Sequence, residues 1–180
     1  MFRWATPHYR VERVELLTAE RLGQLGLRAL LVDVDCTLKR YRSEEIPANV
    51  ADWVAGLVQG GIGFCLASNG GGRRIRRLAE GLGVPCLAKA LKPFPFRLRR
   101  AVRRMGFPPE QTAMVGDQLF ADVMAGRLAG LRTILVTPIH PEEEPWFTRL
   151  KRPAERVLLR RMVIPNGAAK AGSITHYGVD

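Results

Sequence analysis

The chain alternates short apolar runs with longer stretches in which apolar residues recur every three or four positions. The clearest run, Leu30-Leu31-Val32, leads into Asp33-Val34-Asp35-Cys36-Thr37-Leu38 and predicts a strand buried on both faces from about Arg28 to Val34. Ile62 to Ala67, Val84 to Ala88, Thr112 to Gly116 and Arg132 to Thr137 repeat the pattern. Between them the period changes to that of a helix. Thr18 can cap a short helix through Leu25, stopped by Gly26. Pro47 opens a helix with Val50, Trp53, Val54, Leu57 and Val58 on one side. Arg73 to Glu80 groups Ile75 and Leu78 with Leu82, its arginines opposite. After the turn Lys92-Pro93-Phe94-Pro95, Leu98, Ala101, Val102 and Met105 share one helix face; Arg99, Arg100, Arg103 and Arg104 share the other. A further helix spans Leu119 to Leu128.

Strands and helices in this alternation predict repeated βαβ units: an α/β, Rossmann-like three-layer sandwich around a parallel sheet of about five strands. Residues 1–15 show no clear period and read as a lead-in. Trp146 to Met162 reads as an amphipathic helix interrupted at Pro153. Residues 166–180 read as a flexible tail, leaving 1–165 as a single domain.

Composition narrows the picture. At 180 residues and 47% hydrophobic, the chain suits one sizeable core and is not a disordered polymer. No apolar run reaches the ~18 residues needed to span a bilayer, and no signal-peptide core begins the chain. Three cysteines without metal-like spacing predict reduced thiols and a cytoplasmic protein. The excess of 28 Lys plus Arg over 17 Asp plus Glu, a net charge of +11, favours anionic partners without choosing among them.

In an open parallel sheet, ligands bind outside the carboxyl ends of the strands, where strand order reverses. The polar residues collect there. The first strand ends in Asp33 and Asp35, which alternation puts on one side. The second ends in Ser68-Asn69 followed by Gly70-Gly71-Gly72, and the fourth in Asp117, with Asp122 further into the next helix. Lys89 and Lys92 flank the turn after the third. Singly, each has an ordinary explanation as a helix cap or a solvated side chain. Together they can hydrolyse a phosphate ester through a covalent aspartyl phosphate. A hard divalent cation such as Mg²⁺ would cancel repulsion between a carboxylate nucleophile and a phosphate. A lysine would spread the remaining charge, and a serine hydroxyl with backbone N–H groups would hold phosphoryl oxygens. A second aspartate can protonate the leaving group and then activate water.

Asp33-Val34-Asp35-Cys36-Thr37, Ser68-Asn69, Lys92-Pro93 and Gly116-Asp117-Gln118-Leu119-Phe120-Ala121-Asp122 resemble the four motifs of the haloacid dehalogenase-like (HAD) phosphatases, in order and at compatible spacings. The turn Leu91-Lys92-Pro93-Phe94, with Pro108-Pro109-Glu110-Gln111 ahead of the fourth strand, is similar to the YqeG-type, subclass IIIA branch, which includes phosphatidylglycerophosphate phosphatases. The resemblance covers roughly residues 10 to 160. It implies Asp33 as nucleophile, Asp35 as general acid/base and Lys92, with Lys89 as the alternative, as the charge-stabilising lysine. Thr37 would brace the loop and, with Ser68, Asn69 and Gly70, complete the substrate-binding set. Asp33, the backbone carbonyl of Asp35 and Asp117 would hold Mg²⁺, with Asp122 in support. Cys36 departs from the asparagine or aspartate often found there, at a position without a catalytic role.

Many relatives cover this site with an inserted cap. Here neither Leu38 to Ile62 nor Gly70 to Lys92 has room for one. An open site suits a phosphate presented by something large, or a small ester if an oligomer walls it in. The basic segment from Arg149 to Arg161, preceded by Trp146 and Phe147, fits contact with an anionic phospholipid surface on the inner face of a membrane. The leading expectation is a Mg²⁺-dependent phosphatase of phosphatidylglycerophosphate, with soluble phosphate esters as the alternative. A basic nucleic-acid-binding module is disfavoured, because aromatic residues are not interleaved with the basic runs.

Overall fold

A computed structural model of the protein describes residues 3–162 and 172–178. Its centre is a seven-stranded sheet in the order β4-β3-β2-β5-β6-β1-β7. The strands are β1 (Tyr9–Val11), β2 (Ala29–Val32), β3 (Gly63–Ser68), β4 (Cys86–Ala88), β5 (Thr112–Gly116), β6 (Arg132–Val136) and β7 (Thr175–His176). All neighbours are parallel except β1 and β7, which are antiparallel. The five strands expected from the apolar runs are β2 to β6. The two outer strands correct that number. Neither has enough residues to show a period: β1 lies in a polar lead-in, and β7 lies within the segment expected as a tail. Of residues 166–180, only 172–178 are described, and within them Tyr177 is buried and its N–H donates to the His8 carbonyl at 3.0 Å. The other residues of that segment lie outside the described residues.

The helices are α1 (Ala19–Gln24), α2 (Ala48–Gln59), α3 (Gly72–Leu82), α4 (Phe96–Met105), α5 (Met124–Ala129), α6 (Trp146–Arg149) and α7 (Arg152–Arg161). Alternation along the strands separates two cores. Leu30, Val32, Leu66, Val115 and Ile134 face a layer built with Val50, Val54 and Leu57 of α2 and Ile75 and Leu78 of α3. Leu31, Cys65, Ala67 and Met114 face the other layer, with Leu98 and Val102 of α4 and Ala125 and Ala129 of α5. Because β2 is covered on both sides, its four residues are all buried, which is why its sequence is an unbroken apolar run. Val58, placed on the buried side by its spacing, is instead exposed at the end of α2.

Two helices differ from their sequence reading. Leu119–Val123 forms a wide π turn before α5 begins, so the expected single helix is in two parts. The break in the C-terminal helix falls at Leu150-Lys151 rather than at Pro153, which sits in the first turn of α7. Proline suits that place, because the N–H it lacks would have no helical acceptor there. Among the described residues, no domain is inserted between β2 and β4, and no helix is long and apolar enough to cross a membrane.

Successive strands run outward from β2 through β3 to β4, then cross to β5 and β6 on its other side. Strand order therefore reverses between β2 and β5, which leaves a crevice at their carboxyl ends. Close approach of α5 to the sheet depends on Gly126, where a Cβ would fall 2.5 Å from the Thr133 methyl and 2.8 Å from Met114 Cβ. Gly126→Ala is expected to cost about 1–3 kcal/mol by overpacking, outweighing the ~1 kcal/mol that alanine gains in a helix. A guanidinium unfolding midpoint equal to or above that of the unmodified protein would contradict this.

Candidate active site

Asp33 sits one residue beyond β2, and its N–H still pairs with the Val115 carbonyl at 2.9 Å, so the sheet itself fixes its backbone. Asp117 follows β5, and Ser68 closes β3. All three side chains are buried at the crevice.

Lys92 links these tips. Its ammonium donates to Asp33 Oδ1 at 2.6 Å and to the Ala67 carbonyl at 2.7 Å, and it lies 2.6 Å from Asp122 Oδ1. Burial by itself would discharge the lysine; Asp122 and Asp33 reverse that and hold its pKa above the usual range. Lys89, the other lysine near the turn, is exposed, so the ammonium that reaches Asp33 is that of Lys92. Asn69 positions the turn: its side chain donates to the Lys92 carbonyl at 2.9 Å and accepts from the Lys92 N–H at 2.8 Å. The residue expected to touch a phosphoryl group thus has its amide committed to the backbone of the lysine. Ser68 Oγ accepts from the Gly70 N–H at 3.0 Å, which folds the glycine turn over the strand tip.

Asp122 reaches this cluster because the π turn returns its carboxylate toward β5, where Oδ2 accepts the Gln118 N–H at 3.1 Å. It lies so close to Gly116 that a Cβ there would sit 2.2 Å from the Asp122 carboxyl carbon. Oxygen atoms of Asp33, Asp117 and Asp122 all fall within 4.8 Å of one another. Burial pushes Asp33 up to about 7, with Lys92 pulling it down and Asp122 adding repulsion. Burial likewise pushes Asp117 up to about 8 against the pull of Arg152, with Asp122 and Asp33 repelling it. Three crowded carboxylates offering only oxygen donors fit a hard divalent cation such as Mg²⁺. A second cluster, Cys36 with Asp117 and Glu144, does not fit one. Burial, then Asp117 and Glu144, push the Cys36 thiol far above its usual range, and Arg152 occupies both oxygens of Glu144.

Asp35 diverges from Asp33. Its carboxylate is not in the acidic cluster but accepts from Lys39 Nζ at 2.8 Å and from Arg74 at 2.9 and 2.5 Å. Burial works to raise its pKa, yet Arg74 and Lys39 outweigh that and hold it below the ordinary carboxylate range. Cys36, next along, has φ 61°, a left-handed conformation that asparagine and aspartate tolerate best. That requirement accounts for the residue types often found there. Thr37 braces the loop by donating from Oγ1 to Asp117 Oδ1 at 3.2 Å.

Three cations of the site are absent from the sequence reading. Lys39 is fully buried and also donates to the carbonyls of Arg40 and Ser43, at 3.0 and 2.6 Å. Its signal was available: it lies four residues after Asp35, directly after an apolar residue. Arg74 looked like one more solvated arginine of α3. Arg152 holds the Asp117 carboxylate and its carbonyl, the latter at 2.7 Å, and also pairs with Glu144 and Glu155. It comes from a distant segment, and nothing in the local pattern marks it.

This arrangement can hold a phosphate monoester among a buried ammonium, the N–H groups of the glycine turn and an oxygen-lined cation site, with Asp33 as the carboxylate nearest the lysine. Comparison with known proteins agrees. A family model described as HAD-hydrolase-like matches residues 90–143. The chain is 32% identical over 153 residues to the Bacillus subtilis protein named "Probable phosphatase YqeG", an alignment covering 85% of this chain and 88% of that one. It is 25% identical to the Arabidopsis thaliana phosphatidylglycerophosphate phosphatase 1, covering 88% of this chain but only 48% of that protein. The fold is similar to the cobalt-bound deoxy-D-mannose-octulosonate 8-phosphate phosphatase of Haemophilus influenzae, with TM-score 0.53, 16% identity and coverage of 76% and 89% of the two chains. It also resembles NagD of Escherichia coli, with TM-score 0.51, 15% identity and coverage of 65% and 90%. The four motifs at the strand tips, the sheet that carries them and the match along nearly the whole of YqeG converge on one assignment: the chain belongs to the HAD-like phosphatase superfamily, in its YqeG-type branch.

Proposed function

We propose that the protein is a Mg²⁺-dependent phosphomonoesterase that removes the terminal phosphate of phosphatidylglycerophosphate, acting from the cytoplasm at the membrane surface. The observation that carries the catalytic part is the convergence of Asp33, Lys92, Asp117 and Asp122 at the β2/β5 crevice.

In this reading an Asp33 oxygen attacks phosphorus, and the electron pair of the breaking ester bond leaves with the alkoxide. Asp35, once its ion pairs with Lys39 and Arg74 open and its carboxylate takes up a proton from water, supplies the proton that converts the alkoxide to an alcohol. Asp35 then takes a proton from water as its oxygen attacks the aspartyl phosphate, the bond to Asp33 breaks and inorganic phosphate departs. Lys92 stays charged throughout and faces the phosphoryl oxygens, while Ser68 and the N–H groups of the Gly70 turn orient them. Asp33, Asp117 and the Asp35 carbonyl would hold Mg²⁺, with Asp122 beside them; bound there, the ion supplies positive charge that lets two anions approach.

The lipid part rests on similarity to the Arabidopsis phosphatase and on the surface around the site. No domain covers the crevice among the described residues. The turn that carries Lys92 and the start of α4 present Leu91, Phe94 and Phe96 to solvent at 56%, 63% and 70% exposure. Trp146 and Leu150 are as exposed, beside the basic residues Arg149 and Lys151. Exposed apolar side chains with basic neighbours suit the interface of an anionic bilayer.

Three outcomes test this. With Mg²⁺, the protein should release phosphate from vesicles carrying phosphatidylglycerophosphate, and chelation should abolish release; turnover undiminished by chelator would remove the metal. Asp33→Asn should lower kcat by at least about a thousandfold, since it deletes the nucleophile, and a loss of less than about tenfold would reassign that role. Phe94→Ser/Phe96→Ser should weaken binding to anionic vesicles in flotation by about tenfold, the equivalent of partly burying two aromatic side chains. Unchanged flotation would place the membrane contact elsewhere or dispose of it.

A further inference from the structure

Beside the glycine turn lies a recess of about 650 Å³, separate from the acidic crevice. The charged side chains that line it are Arg73, Arg74, Arg76, Lys89 and Arg97, with no acidic residue among them. We propose that this recess is a second anion site, which takes the phosphodiester of a substrate whose phosphomonoester lies against Asp33. The proposal deepens the phosphatase reading above and rests on it for the position of the first phosphate.

The cations arrive from three separate elements. Arg73, Arg74 and Arg76 come from the start of α3, Lys89 follows β4, and Arg97 lies in the first turn of α4. A solvated helix face needs only one element, as with Arg100, Arg103 and Arg104 along α4. Convergence from three brings like charges together, and that costs free energy until an anion joins them. Among the described residues, only Arg74 of the five pairs with a carboxylate. The backbone is disposed in the same sense. α3 has eleven residues; its N-cap is Gly71, which makes no side-chain cap, and its first turn holds no acid. The leading N–H groups of such a helix have no intrahelical acceptor and carry the positive end of its dipole. Lys89 holds φ 51°, a conformation that costs a lysine free energy and is retained where surroundings impose it. The remaining lining is Gly71, Gly72 and Ala88, so there is little apolar surface to receive an acyl chain or a ring.

Arg74 adjoins both the recess and the loop that carries Asp33 and Asp35. Its guanidinium pairs with Asp35 while its side chain walls the recess. Gly70, one turn earlier, links the recess to Ser68 through its N–H and to Lys89 through its carbonyl. A ligand filling both places therefore carries two anionic groups joined by a short linker. A terminal phosphate separated by one glycerol unit from a phosphodiester has that form, whether the diester belongs to a lipid or to its water-soluble deacylated headgroup.

Steady-state kinetics on three substrates separates the possibilities: nitrophenyl phosphate, deacylated glycerophosphoglycerophosphate, and phosphatidylglycerophosphate in neutral vesicles. The recess variant is Arg73→Gln/Arg76→Gln/Arg97→Gln. A control of equal charge change, Arg100→Gln/Arg103→Gln/Arg104→Gln, alters α4 away from the recess. The recess variant should raise KM for both two-phosphate substrates by at least about tenfold, as expected when several charge-assisted contacts are lost. Its kcat on them, and its KM for nitrophenyl phosphate, should stay within about twofold, a change of less than ~0.5 kcal/mol. The control should match the unmodified protein. A rise confined to vesicles would assign the cations to a membrane surface and overturn the proposal. So would an equal rise for nitrophenyl phosphate, or a control that behaves like the recess variant. Titration of the deacylated compound into Asp33→Asn, with and without the recess substitutions, reads binding without turnover. Recess-dependent binding alongside no hydrolysis of any ester by the unmodified protein would sink the phosphatase reading and leave the anion site standing. Hydrolysis with recess-independent binding would do the reverse.

Discussion

A charged amine shut away from water cannot be left alone, and the structure is arranged around that constraint. Lys92 lies beneath the surface with Asp33 on one side and Asp122 on the other. Removing one partner from a buried pair typically costs about 3–5 kcal/mol, because the survivor stays buried and uncompensated. Each neighbouring feature serves to bring these three groups together. The ladder from β2 to β5 fixes Asp33, the π turn and the bare Gly116 admit Asp122, and Asn69 grips the lysine's own peptide. The site and the folded core are therefore not separable. The charge balance that makes phosphate chemistry feasible also fixes how the strand tips meet.

The same logic extends outward. Asp35 is balanced by Lys39 and Arg74, and Asp117 by Arg152, which it shares with Glu144 and Glu155. Each acidic residue at the crevice thus has a cation assigned to it from a different part of the chain. Lys39 gathers the carbonyls of the following loop, and Arg152 fastens the start of α7 against the β5 turn. Such ion pairs do not by themselves make a protein more stable than apolar packing would. They do fix where each carboxylate points, which a site working on a charged substrate requires.

β2, β3, β5 and β6 were legible because burial on both faces leaves unbroken apolar runs, a signal independent of distant residues, and β4, half-buried at the sheet edge, was legible from the alternation of strands with helices. The acids were legible because they stand at the ends of those runs. What escaped is what depends on contacts across the sequence. β1 is defined by its register with Ile134 to Val136 rather than by its own three residues, and β7 by its register with β1. The π turn that returns Asp122 to the cluster leaves no mark in the local apolar period. The bracing of the Lys92 turn by Asn69 escaped because its partner is a backbone group more than twenty positions away. Arg74 and Arg152 belong to a chain rich in arginine, where composition conceals the few that are committed.

The antiparallel pairing of β7 with β1 has a consequence for how the molecule coexists with copies of itself. An uncovered margin of a sheet offers a row of amide donors and carbonyl acceptors to any passing strand. β7 occupies that row along Tyr9 and Arg10, using two residues near the far end of the chain. Without that pairing the Tyr9 and Arg10 side of β1 would stand open to a passing strand, so the border left to solvent is instead the two-residue β7, too short to offer much of a template.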